Sequence, residues 1–83
     1  MDNKRLGKYI GIEEQPNEGK RTKIWVVFNK RTSDICGYVK WYGGWRKYIF
    51  ESIDRPRIYD WEFLRLMAGF CETATAQHYA NKV

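Results

Sequence analysis

The chain has 83 residues and a mass of 10.0 kDa, with 15 Lys plus Arg against 10 Asp plus Glu for a net charge of +5. A chain of this length buries only about 60% of its unfolded surface, which leaves room for one domain, here 1–83, and one core. Its 43% hydrophobic and 17% aromatic content excludes a disordered chain, and no run approaches the roughly 18 apolar residues that a membrane span needs.

In chain order, residues 1–7 are charged and short of apolar side chains, which predicts a flexible arm. The arm has no apolar segment behind it to act as a secretion signal, so the expected location is the cytoplasm. Antiparallel strands are predicted over 8–51. Lys8 to Glu14 alternates, with Ile10 and Ile12 on one side and Tyr9 on the other, as in a short edge strand. Gln15-Pro16-Asn17-Glu18-Gly19 reads as a turn, because Pro presets an early backbone angle and Gly accepts a left-handed one. Lys23 to Asn29 centres on Ile-Trp-Val-Val-Phe, a β-branched and aromatic strand, and Lys30 to Ser33 supplies a polar four-residue loop before Ile35 to Tyr42 resumes the strand character. Gly43-Gly44 predicts a two-residue hairpin turn with positive φ angles, followed by a strand over Trp45 to Glu51. Asp54-Arg55-Pro56 then breaks the sheet. From Asp60, a good N-cap, the period changes to about 3.6, and Phe63, Leu64, Leu66, Met67, Phe70, Cys71 and Ala74 form an apolar stripe. The predicted helix covers 60–77. The fold class expected is α+β, a three- or four-stranded antiparallel meander packed on one C-terminal amphipathic helix.

Charge and reactive groups narrow the function classes. Residues 1–57 carry thirteen basic and seven acidic side chains, whereas residues 58–83 carry two and three, so the basic character belongs to the front. Lys and Arg displace counterions from phosphates while exposed rings stack on bases, which makes nucleic acid the expected anionic partner. Cys36 and Cys71 stand 35 positions apart with no CxxC and a single His, so no metal and no cofactor are expected, and both cysteines read as reduced, buried thiols. His78 reads as a partly exposed helix residue with no nucleophile attached to it. The carboxylates are scattered, and neither Gly43-Gly44 nor Gly7-x-x-x-Gly11 opens a strand-loop-helix phosphate site. The chain is not expected to be an enzyme.

The two turns set an expected register. A two-residue turn at Gly43-Gly44 sets Tyr42 against Trp45, Lys40 against Lys47, Val39 against Tyr48 and Gly37 against Phe50. The loop at Lys30 to Ser33 sets Phe28 against Ile35, Val26 against Gly37, Trp25 against Tyr38 and Ile24 against Val39. Opposed residues share a face. One face collects Ile24, Val26, Phe28, Ile35, Val39, Trp41, Tyr48 and Phe50, with Gly37 leaving space for the helix. The other collects Trp25, Val27, Cys36, Tyr38, Lys40, Tyr42, Trp45, Lys47 and Ile49. One helix covers one side of a sheet, so this second face is expected to meet water or a partner. Like charges at Lys40 and Lys47 directly across a ladder destabilise it, and an anion would compensate.

The stretch Gly37-Tyr38-Val39-Lys40-Trp41-Tyr42-Gly43-Gly44-Trp45-Arg46-Lys47-Tyr48-Ile49-Phe50 resembles a G-x-I-K-W-Y-G-x-W-R-x-Y-x-F hairpin of short uncharacterised proteins of phages and prophages. The likeness spans roughly residues 23 to 72 and leaves 1–22 outside. It implies a phage or mobile-element setting in a bacterial host cell and lends no functional residues. A looser likeness of fold alone links three strands plus a C-terminal helix to the arm-binding domains of phage-type integrases, which set a sheet into the DNA major groove.

The function expected is a small non-enzymatic module binding DNA or RNA through the outward face. Lys40, Arg46 and Lys47 would contact phosphates, Trp25, Tyr38, Tyr42 and Trp45 would stack or wedge, and Lys30 and Arg31 would extend the basic path. The alternative is a protein-binding inhibitor or modulator of a host enzyme or defence complex using the same residues as a hot spot. Self-association through that face or an edge strand is the third possibility, so the oligomeric state is monomer or homodimer.

Overall fold

In the computed structural model, residues 9–53 and 59–81 are described; the expected arm at 1–7 and the break at Asp54-Arg55-Pro56 lie outside them. Four strands, β1 (Ile10–Gln15), β2 (Ile24–Asn29), β3 (Ile35–Tyr42) and β4 (Lys47–Ser52), precede one helix, α1 (Trp61–Ala80). The strands form a single antiparallel sheet in the order β1-β2-β3-β4, so every connection is to a spatial neighbour. This is the α+β meander with a C-terminal helix that the periodicity predicts.

The helix begins as its sequence dictates. Asp60 is extended (φ −92°, ψ 176°), and its Oδ1 accepts the Phe63 N–H at 2.9 Å, satisfying one of the free donors of the first turn. The helix runs three residues past the expected end at Gln77, to a cap at Asn81 whose N–H donates to the Gln77 carbonyl at 3.0 Å. It lies antiparallel to β4: Phe63 meets Phe50 at its start (ring centroids 5.4 Å), and the Tyr79 hydroxyl donates to the Arg46 carbonyl at its end (2.7 Å). Phe63, Met67 and Ala74 are buried, whereas Leu64, expected in the stripe, is 54% exposed.

The sheet face under α1 carries Trp25, Val27, Val39, Trp41, Tyr48 and Phe50, with Val27 and Val39 fully buried. Tyr48 locks the layers together. Its backbone N–H donates to Thr75 Oγ1 (2.9 Å), which in turn donates to the Cys71 carbonyl (2.8 Å), and its hydroxyl accepts the Lys23 N–H (2.9 Å).

Two expected registers change, for different reasons. In the second hairpin Tyr42 pairs with Lys47, Val39 with Phe50 and Gly37 with Ser52, because the turn has four residues, 43–46. The Tyr42 carbonyl accepts N–H groups from both Trp45 (3.2 Å) and Arg46 (2.9 Å), and the left-handed residue is Arg46 at φ 58°, not either glycine. A Cβ on Gly44 would stand 2.9 Å from the Tyr42 ring, so the turn uses Gly44 for closeness rather than for φ. The shift moves β4 partners by two positions, an even number, so the faces of β4 and of β3 from Gly37 onward stay as expected. Lys40 faces Ile49, not Lys47, and forms an ion pair with Glu51, which removes the expected repulsion.

In the first hairpin the four-residue loop Lys30 to Ser33 forms as expected, closed by Ser33 N–H to the Asn29 carbonyl (2.7 Å), with Asn29 Oδ1 accepting from Arg31 N (2.8 Å). Phe28 pairs with Ile35, also as expected. A β-bulge then intervenes, so that Val27 faces Gly37, Val26 faces Tyr38, Trp25 faces Val39 and Ile24 faces Lys40. One extra residue reverses every β2 side chain beyond it. Trp25 and Val27 therefore lie under the helix, and Ile24, Val26 and Phe28 share the open face. Cys36, expected outward, is buried at the bulge, and Ile35, expected in the core, is 39% exposed. Gly37 makes room for β4 rather than for the helix: a Cβ there would lie 2.8 Å from Ser52 Cα and 2.9 Å from the Phe50 ring.

Candidate nucleic-acid interface

The open face of the sheet is not the basic aromatic surface expected. Its middle is apolar, with Ile24, Val26, Phe28, Tyr38 and Ile49 all half-buried. The Phe28 ring lies over Gly11 of β1, where a Cβ would stand 2.7 Å from Cε2. Polar groups at the margins balance, with Glu13 and Glu51 against Lys40 and Lys47, so the face as a whole offers an anion little attraction.

The cations gather instead at one end of the sheet. In an antiparallel meander the β1–β2 and β3–β4 connections emerge at the same end, and the Gln15–Ile24 and Tyr42–Lys47 pairs place 16–23 and 43–46 there. Residues 16–23 and 43–47 hold five cations, Lys20, Arg21, Lys23, Arg46 and Lys47, against one carboxylate, Glu18. None of the five forms an ion pair with another described residue; the Lys40–Glu51 pair is the only one among the described residues. Charges in this arrangement raise the local potential and attract polyanions. Trp45 is 66% exposed and Tyr42 46%, and their rings meet edge to face at 4.9 Å, forming a raised aromatic tip beside the cations. The carbonyl of Arg46 is held by the Tyr79 hydroxyl, which fixes the tip against the last turn of α1.

Of the residues expected in the interface, Tyr42, Trp45, Arg46 and Lys47 come together at this tip. Tyr38 and Lys40 lie further along the open face, and the Lys40 ammonium is occupied by Glu51. Lys30 and Arg31 sit at the opposite end of β3, roughly 25 Å away at about 3.3 Å per residue over its eight residues. There the Arg31 guanidinium stacks over Tyr9 at 4.9 Å. Trp25 is withdrawn from the interface, edge-on to Phe70 at 4.9 Å and to Tyr48 at 5.5 Å under the helix. Sequence reasoning missed Lys20, Arg21 and Lys23. The signal was available, because meander topology alone sends that basic run to the end where Gly43-Gly44 turns.

The groups for other chemistry do not converge. Among the described residues no three His, Cys, Asp or Glu side chains come together as a metal site, and no helix is long and apolar enough to cross a membrane. Cys36 and Cys71 are free thiols, and burial pushes the Cys71 thiol above its ordinary pKa. His78 is half-buried, with its ring 4.3 Å from that of Trp41. No protein family, curated protein or solved structure matches the chain.

Proposed function

We propose that the chain is a small non-enzymatic module, of phage or mobile-element type, that binds nucleic acid at the loop end of its sheet. The observation that supports this is the coincidence of five cations without ion pairs and an exposed Trp45–Tyr42 tip on one edge of the molecule. In this reading Lys20, Arg21, Lys23, Arg46 and Lys47 contact phosphates and fix the register of the strand. Trp45 stacks on a base or wedges between two, a contact of about 1–3 kcal/mol per base. Trp45→Ala is the direct test: it should weaken oligonucleotide binding by roughly tenfold or more in an anisotropy titration, while Trp61→Ala, equally exposed on α1, leaves it unchanged. Equal effects of the two substitutions would reject the tip as the stacking site.

The apolar open face favours a second reading, a modulator of a host enzyme or defence complex. Ile24, Val26, Phe28, Tyr38 and Ile49 form a contiguous patch of the kind that marks protein contacts. Capture of a bacterial protein that survives nuclease and high salt, and is lost in Tyr38→Glu, would replace the first reading with this one.

A further inference from the structure

Behind the aromatic tip, a cleft of about 420 Å³ opens between the start of β2 and the last two turns of α1. That volume lies within the range of small-molecule sites. Its walls differ chemically. The side facing the β1–β2 connection carries Arg21 and Lys23, the α1 side carries the carboxamides of Gln77 and Asn81, and Trp25 and Tyr48 contribute rings between them. The lining has no carboxylate. Neither carboxamide side chain hydrogen-bonds another described residue, so both are free to serve a ligand. The Lys23 N–H donates to the Tyr48 hydroxyl and the Tyr48 N–H donates to Thr75 Oγ1 of α1, which ties the two sides together through Tyr48.

From this division of charge, ring and amide we infer that the cleft binds a single nucleotide, with its phosphate on Arg21 and Lys23 and its base among Trp25, Tyr48, Gln77 and Asn81. The inference rests on the nucleic-acid reading above and deepens it. The cations recognise the phosphate, a carboxamide offers both a donor and an acceptor to a base edge, and the rings supply the apolar contact a heterocycle needs. The polarity of the helix sets the orientation: the C-terminal end of α1 carries partial negative charge, which repels phosphate and directs it towards the β1–β2 connection. A free nucleotide would occupy this place, and so would one unstacked nucleotide of a bound strand.

The test uses the intact chain and adenosine monophosphate, followed by nuclear magnetic resonance of the indole and side-chain amide protons. Adenosine monophosphate at millimolar concentration should shift the Trp25 indole and the Gln77 and Asn81 amides, and ribose 5-phosphate should shift them far less. Arg21→Ala and Gln77→Ala, both at exposed positions, should each weaken the nucleotide several-fold, up to about tenfold for the charge-assisted contact. Trp61→Ala, exposed at the start of α1 and away from the cleft lining, should leave this binding unchanged. Unmoved Trp25 and Gln77 resonances, or equal shifts with ribose 5-phosphate, would overturn the inference. Oligonucleotide binding that depends on Trp45 without filling of the cleft would reject the cleft and keep the interface. Filling of the cleft by the mononucleotide without any oligonucleotide binding would keep the cleft as a free-nucleotide site and reject the interface.

Discussion

The parity of β2 can be tested by two adjacent valines. Val27 is fully buried beneath α1, whereas Val26 lies half-buried on the open face opposite Tyr38. Val27→Ala removes two carbon groups, worth about 0.8 kcal/mol each in transfer free energy. The space left, on the order of 50 Å³ if nothing relaxes, adds about 1 kcal/mol at roughly 24 cal/mol per Å³. The expected loss is therefore about 2–3 kcal/mol, and at 4–8 °C per kcal/mol for a domain of this size the melting temperature falls by roughly 10–20 °C. Val26→Ala, which leaves no enclosed space, should cost less than about 1 kcal/mol. Urea denaturation followed by circular dichroism gives both values in one series. A larger loss for Val26→Ala than for Val27→Ala would mean that β2 faces the other way and that the bulge at Cys36 is absent.

Other consequences of the fold are equally open to measurement. Ser33 holds φ 67° at the end of the first hairpin loop, a conformation that costs an L-residue about 1–2 kcal/mol. Ser33→Gly should therefore raise the melting temperature by a few degrees, offset in part by the greater freedom of glycine when unfolded, and leave nucleic-acid binding untouched. Gly37→Ala drives a Cβ against the Glu51 carbonyl and Ser52 Cα, so thermal melting should show a loss of 3 kcal/mol or more, or no cooperative transition at all. Because the Cys71 thiol has a raised pKa in the folded state, the unfolded chain releases that proton first, and stability falls as pH rises above the ordinary thiol value of about 8.5. Urea midpoints at neutral and alkaline pH should show this fall in the wild type and a smaller one in Cys71→Ala.

The parts of the fold written in local physical chemistry were readable from the sequence. The change from period two to period 3.6 at Asp60, the capping carboxylate, and the polar loop from Lys30 to Ser33 all depend on a few neighbouring residues. The β2 faces depend on a bulge that no local feature announces: Cys36 becomes the extra residue where Gly37 lets β4 approach, a contact between segments 13 or more positions apart. The glycine pair at 43–44 pointed to a hairpin but not to its loop length, because the left-handed position falls on Arg46. The site was half visible for the same reason. Tyr42, Trp45, Arg46 and Lys47 are adjacent in sequence and stay adjacent in space, whereas Arg21 and Lys23 join them only through the order of the strands. Trp25 turned to the helix side, half-buried, when the bulge reversed its strand.

The central claim is that phosphates are held at the loop end of the sheet, and the salt dependence of oligonucleotide affinity measures it most directly. With five cations engaged, log affinity for duplex DNA should fall with log salt at a slope near −4.5, or about −3.5 for a single strand. The double variant Arg21→Gln/Lys47→Gln should flatten the duplex slope by about 1.8, while Lys30→Gln/Arg31→Gln at the far end leaves it unchanged. Absence of binding at about 50 mM salt, or a slope that responds to Lys30 and Arg31 but not to Arg21 and Lys47, would contradict the account.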